Sequence, residues 1–177
     1  MTDERAALGA EIVATAVLRG HFVLRSAATS DYYIDKYRFT TQPALLARIT
    51  DALLPHVPDD TQRIAGTVLG AVPLAVALSL RTGLPSVLVR ADAKGYGTSK
   101  AVEGELQAGE RVLLIEDVVT SGGAAIAALQ ALRGAGATVK GILAVIDREE
   151  GGAERLAAAD VPFLALFTRT ELGLGGS

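Results

Sequence analysis

The residues with the clearest chemical potential run from Glu116 to Gly123: two acids, two valines, then Thr120, Ser121 and two glycines. Hydroxyls and glycine backbone just ahead of a helix offer unpaired N–H groups and the positive end of a helix dipole, which together favour an anion such as phosphate. Glycines also let the chain approach that anion closely. The preceding Glu116 and Asp117 would repel a bare phosphate lying on them. A ligand with phosphate at one end and hydroxyls or a bound cation at the other resolves the conflict. A phosphorylated sugar fits, its ribose hydroxyls donating to the acids and its Mg2+ sharing their field. No lysine follows the glycines and no GxGxxG spacing is present, so neither a Walker A loop nor a dinucleotide fingerprint is read here.

A second chemical stretch spans Val89 to Leu106. Arg90 and Lys94 follow an apolar run, and Gly95, Gly97 and Gly104 break any periodicity. A long loop with cations and glycine hinges suits closure over pyrophosphate and exclusion of water. Taken alone it is equally a solvated loop.

The elements that must position these groups alternate. A helix is expected over Asp3 to Leu18, capped by Thr2 or Asp3 and stopped by Gly20. Two short β-prone runs follow, Phe22–Leu24 and Tyr32–Ile34, as a hairpin-like pair. Next come a helix over Gln42 to Leu54, a short strand Arg63–Gly66, a glycine turn to Gly70 and an apolar helix Val72 to Leu80 ended by Gly83 and Pro85. Strands are expected at Ser86–Val89, at Val112–Ile115 near the middle of the sheet, and at Gly141–Ile146. Val161 to Phe167 closes the series as an edge strand. This alternation predicts an α/β fold with a mostly parallel, helix-flanked sheet, whose ligands lie beyond the carboxyl ends of its strands.

The acid pair, the valines, Thr120-Ser121-Gly122-Gly123 and the following helix resemble the phosphoribosyl-pyrophosphate (PRPP) loop of the type I phosphoribosyltransferases. Other segments resemble the orotate phosphoribosyltransferases among them. Phe22, Leu24, Arg25, Ser26, then Ser30, Tyr32, Tyr33 and Ile34, are similar to their N-terminal hood, with Arg25 in place of the usual lysine. Arg90, Lys94 and Gly97 match the cationic loop, where Ala91 replaces a second lysine and Tyr96 a frequent histidine. Some members carry a lysine where this chain has Gly70. Asp147-Arg148 matches the pair whose arginine meets the orotate carboxylate.

The resemblance implies one phosphoribosyltransferase domain over residues 1–177, with a hood over about 1–40 and a PRPP-binding core over about 60–170. It implies transfer of the 5-phosphoribosyl group from PRPP to orotate, giving orotidine 5′-monophosphate and pyrophosphate. Arg90, Lys94 and Asp117 would be catalytic. PRPP would meet Arg90, Lys94, Tyr96, Glu116, Asp117, Val118, Val119, Thr120, Ser121, Gly122, Gly123 and Ala124. Orotate would meet Thr120, Arg148, Arg25, Tyr33 and Ile34. Mg2+ would arrive on the PRPP, near Glu116 and Asp117, and a homodimer would share the 90–105 loop across its interface. A transferase for another base, a non-catalytic PRPP or nucleotide sensor, and a nucleic-acid-binding regulator are the competing readings.

Composition narrows these. The chain has 177 residues, half of them hydrophobic, which suits one full core. A net charge of -3 and a pI near 5.4 supply no general field for nucleic acid or an anionic membrane. The absence of cysteine removes disulfides, thiol nucleophiles and thiolate metal sites. With an acidic N-terminus and no long apolar run, a cytoplasmic location is expected.

Overall fold

In the computed structural model, which describes residues 3–23, 29–90 and 101–174, a six-stranded sheet separates two layers of helices. The elements are α1 (Asp3–Ala16), β1 (Val17–Val23), β2 (Thr29–Ile34), α2 (Lys36–Thr40), α3 (Pro43–Leu53), β3 (Arg63–Thr67) and α4 (Val72–Thr82). They continue with β4 (Ser86–Val89), β5 (Val102–Glu103), β6 (Arg111–Val119), α5 (Gly123–Gly134), β7 (Thr138–Asp147), α6 (Gly152–Ala157) and β8 (Phe163–Thr168). The strand order is β5-β4-β3-β6-β7-β8, parallel throughout except for β4 with β5. The expected α/β fold with a mostly parallel, helix-flanked sheet is therefore present.

The sheet is apolar on both faces because helices cover both. Along β6, Leu113 and Ile115 join the core under α1, α3 and α4, while Val112 and Leu114 join the core under α5. This is the period-two division of a strand between two cores. From β3 the chain winds through α4 to β4, and from β6 it winds the opposite way through α5 to β7. The neighbours β3 and β6 thus flank the point where the winding reverses, where a crevice opens at their carboxyl ends. Beside this body, β1 and β2 form a separate antiparallel hairpin, with a register shift between Arg19 and Phe22.

Several boundaries depart from the sequence expectations. The first helix stops at Ala16, and Val17 to Gly20 belong to β1. The five-residue α2 was not expected. Within the loop after β4, Val102–Glu103 forms an antiparallel edge strand, while residues 91–100 and 24–28 lie outside the described residues. Pro162 precedes β8 rather than lying in it. Most consequential, β6 does not end at Ile115 but runs through both acids to Val119.

Close packing of α4 on β3 depends on Gly66, where an added Cβ would stand 2.6 Å from the Ala75 Cβ and 3.1 Å from the Ala71 carbonyl oxygen. Gly66→Ala is expected to destabilise the protein by about 1–3 kcal/mol through overpacking, read as a lower urea midpoint; an unchanged midpoint would show that α4 shifts freely.

Candidate functional site

The carboxyl ends of β3 and β6 bring together residues that are distant in sequence. Glu116 is 4% exposed and Asp117 2%. The Thr67 hydroxyl, at the end of β3, donates to Glu116 Oε2 at 2.6 Å, while Glu116 Oε1 is buried with no hydrogen-bond partner among the described residues. Asp117 Oδ1 accepts from the Val118 N–H at 2.6 Å, and its Oδ2 lies 2.8 Å from the Lys36 ammonium. A cavity of about 80 Å3 opens here, lined by Lys36, Thr67, Val68, Gly70, both acids, Val118, Ala124 and Ala128. A larger cavity of about 520 Å3, between α1, α3 and β8, contains none of the expected site residues.

Burial pushes the Glu116 carboxyl up to about 7, the Thr67 hydrogen bond opposes this, the Asp117 charge adds to it and Lys36 works against it. Burial also works to lower the Lys36 ammonium, but the charge and hydrogen bond of Asp117 outweigh it, so Lys36 is raised. Among the described residues, Asp117 is the acid of the two that is held by a cation, and it retains lone pairs for a further donor.

Beyond the acids the chain turns at Thr120 to Gly122. Gly122 is the residue before α5 and takes a left-handed φ of 73°, while the first ladder bond of the helix runs from the Ile126 N–H to the Gly122 carbonyl. The N–H groups of Gly123, Ala124 and Ala125 therefore precede the ladder at the positive end of a twelve-residue helix. The turn is braced by α6, since a Cβ on Gly152 would stand 2.5 Å from the Thr120 carbonyl oxygen and 2.5 Å from Val119 Cγ1. Ser121 and Ala124 are exposed, Thr120, Val118 and Gly123 half-buried, and Val119 is part of the core under α5.

Just past the adjacent strand, the Arg148 N–H donates to the Val119 carbonyl at 2.9 Å, which ties the end of β7 to the end of β6 where the turn begins. The Arg148 guanidinium is largely buried, lies 5.3 Å above the Tyr32 ring, and has Nη2 3.5 Å from the Tyr32 hydroxyl and 2.9 Å from Glu150 Oε1. Tyr32, not Tyr33, is the tyrosine brought to Arg148. Because neighbouring side chains on β2 take opposite faces, Tyr33 is 43% exposed with its ring centroid 5.7 Å from that of Phe22. Ile34 shares the face of Tyr32 but is packed into the core. Arg90 leaves β4 with its Nε 3.2 Å from Glu103 Oε1. Lys94, Tyr96 and Arg25 lie outside the described residues.

Lys36, Thr67 and Tyr32 were not singled out by the sequence as site residues. The only available signal was the alternation of the Tyr32-Tyr33-Ile34 triplet, which assigns two faces without saying which is inward. Nothing in the sequence marks Lys36.

A buried acid pair followed by a donor-rich turn, at the switch point of a parallel sheet, is the setting the PRPP-loop resemblance requires. The phosphoribosyl transferase domain matches residues 39–164. The chain belongs to the type I phosphoribosyltransferase family. An orotate phosphoribosyltransferase of Natronomonas pharaonis is 46% identical over 159 residues, 90% of this chain and 91% of the relative. Among solved structures, the orotate phosphoribosyltransferase of Mycobacterium tuberculosis H37Rv in complex with Fe(III) dicitrate superposes with a TM-score of 0.85 at 32% identity, covering 96% of this chain and 99% of the other. The same protein in complex with 5-phospho-alpha-D-ribosyl 1-diphosphate gives a TM-score of 0.81 at 31% identity, with the same coverage.

The raised carboxyl has a consequence for stability. Folded Glu116 holds its proton to about pH 7, whereas its ordinary value is 4.5, so between these values the folded state binds more protons and stability falls as pH rises. Relative to wild type, Glu116→Gln is expected to gain about 3 kcal/mol between about pH 4 and pH 8, measured by urea denaturation across that range; a flat difference would mean that Glu116 titrates alike in the folded and unfolded chain.

Proposed function

We propose that the chain is an orotate phosphoribosyltransferase of de novo pyrimidine biosynthesis, joining PRPP and orotate into orotidine 5′-monophosphate with release of pyrophosphate. The observation that carries this reading is the backbone link between two subsites: Val119, the last residue before the donor-rich turn, accepts from the backbone N–H of Arg148. A phosphate cradle and a guanidinium suited to a planar carboxylate are thereby held on neighbouring strands.

As the pyrophosphate leaves, ribose C1 gains oxocarbenium character, and groups that meet the developing charges accelerate the step. Residues Thr120 to Ala124 take the 5′-phosphate on hydroxyls and helix-end N–H groups. Glu116 and Asp117 accept from the ribose hydroxyls, and the negative field of the pair, carried chiefly by Asp117, favours the cationic ring. Arg90, Lys94 and Tyr96 serve the departing pyrophosphate. Arg148, with Arg25, holds the orotate carboxylate, and Thr120 donates to the base. Tyr32 belongs to the base side of the site because it braces Arg148, and Ile34 shares its face of β2 from within the core. Orotate reacts with its ring nitrogen ionised, so no dedicated base is needed.

Mg2+ carried by PRPP would screen the pyrophosphate charge. The donor set fits that manner of delivery. Two carboxylates stand near, while among the described residues no group of three or more His, Cys, Asp or Glu side chains is gathered to hold an ion, so PRPP oxygens would supply the other ligands. The residues of the hood, about 1–40, cover the base, and a homodimer sharing the 90–105 loop would complete the cation set. A cytoplasmic location accompanies this reading, in keeping with the absence of cysteine; among the described residues no helix is long and apolar enough to cross a membrane.

The test is loss of orotate absorbance with PRPP and Mg2+, run beside uracil, hypoxanthine and adenine. Orotate alone is expected to be consumed, and Arg148→Ala should raise the orotate KM roughly 10- to 100-fold, as removal of a charged hydrogen-bonding partner does. Calorimetric PRPP binding without consumption of any base would overturn the enzyme reading.

A further inference from the structure

Gly70 lies in the turn between β3 and α4, and its missing side chain is filled by other residues. A Cβ there would stand 1.6 Å from Asp117 Oδ2, 2.9 Å from Asp117 Cγ and 2.9 Å from Lys36 Cε. The carboxylate and the lysine stem therefore occupy the volume of a side chain at position 70. Lys36 reaches this volume from α2, in a different layer from the sheet, and closes a 2.8 Å ion pair with Asp117. Among the described residues lining this cavity it is the one cation, opposite two carboxylates.

The two partners are unequally covered. The Asp117 side chain is 3% exposed, whereas that of Lys36 is 36% exposed. An ammonium has three donors, and Asp117 takes one. The ammonium thus keeps donors in hand on a part-exposed side chain that lines a cavity which, on the proposed reading, must admit a polyanion past Glu116 and Asp117. Without a cation at this point the approach of pyrophosphate meets uncompensated negative charge in a partly desolvated setting, where charge interactions are strong.

We propose that Lys36 is a PRPP-positioning residue, delivered through the space Gly70 leaves empty, which holds Asp117 in place and donates its exposed face to PRPP oxygens. This rests on the reading of the site as a PRPP site, but it concerns a residue outside the loops that carry that reading. Gly70 is its structural counterpart, because any side chain there would expel the pair.

Calorimetry with PRPP and Mg2+, followed by orotate kinetics, tests the proposal on wild type, Lys36→Met, Lys36→Arg and Gly70→Ala. Methionine keeps the apolar stem and removes the charge. Lys36→Met is expected to weaken PRPP binding and raise the PRPP KM about ten-fold or more, the scale of one charged hydrogen bond, with the orotate KM within about three-fold. Lys36→Arg should recover most of the affinity, and Gly70→Ala should lose it as Lys36→Met does while melting cooperatively. The inference is overturned if Lys36→Met binds PRPP as wild type does, or if both substrates weaken equally alongside a fallen melting temperature. Should wild type itself fail to bind PRPP, the reading of the site and this inference fall together; if wild type binds but consumes no orotate, the transferase reading falls and the Lys36 assignment stands on binding alone.

Discussion

Two adjacent carboxylates buried at the end of the central strand are the constraint around which this molecule is arranged. Burying a charge is costly unless it is paired and hydrogen-bonded. The protein meets that cost unevenly. Asp117 receives an ammonium and a backbone N–H, whereas Glu116 receives a single hydroxyl and keeps one oxygen unpartnered. The result is one carboxylate stabilised by a cation and one held near neutrality, side by side. Each support comes from a different element: Lys36 from α2, Thr67 from β3 and the Val118 N–H from β6 itself. The register of β3 on β6, which pairs Gly66 with Ile115, puts Thr67 level with Glu116. A slip of one residue would turn that hydroxyl to the other face.

The helices and strands of the body were largely readable from sequence because both helical layers press apolar residues onto a sheet that is apolar on both faces. Ser86–Val89 and Val72 onward announce themselves by composition and by their glycine and proline stops. What escaped lacks such a pattern. The five residues of α2 are too few to show a helical period, and the two residues of β5 too few to alternate. Val17 and Leu18 satisfy a helix face and a strand equally well. The apolar run of β6 ends at Ile115, yet a parallel ladder needs only backbone groups and continues through the acids.

The site divides in the same way. The acid pair and the turn after it were legible because they are contiguous: strand, donors, glycines and helix follow one another in eight residues from Glu116 to Gly123. Lys36 and Tyr32 were not, because their places are set by the hairpin and α2 folding back over the sheet. Gly70 shows the difference sharply. As a letter it reads as a missing cation; in space it is the opening through which the ammonium of Lys36 arrives. Electrostatic complementarity is a property of positions in space, and a sequence motif records only those positions that neighbouring residues fill.

Arg148 shows how such a site can be pre-formed and still accept a charged ligand. Its guanidinium lies over the Tyr32 ring and its backbone N–H is bonded to the Val119 carbonyl, while its salt-bridge partner Glu150 is 36% exposed on its side chain. Solvent reaches the Glu150 carboxylate and screens it, so this pair is weaker than one buried on both sides. On the proposed reading, a substrate carboxylate therefore displaces a weak competitor rather than a buried one. The orientation of the guanidinium survives the exchange, since neither the ring nor the backbone bond depends on Glu150. Rigid placement and cheap release are compatible here because they are assigned to different contacts of one side chain.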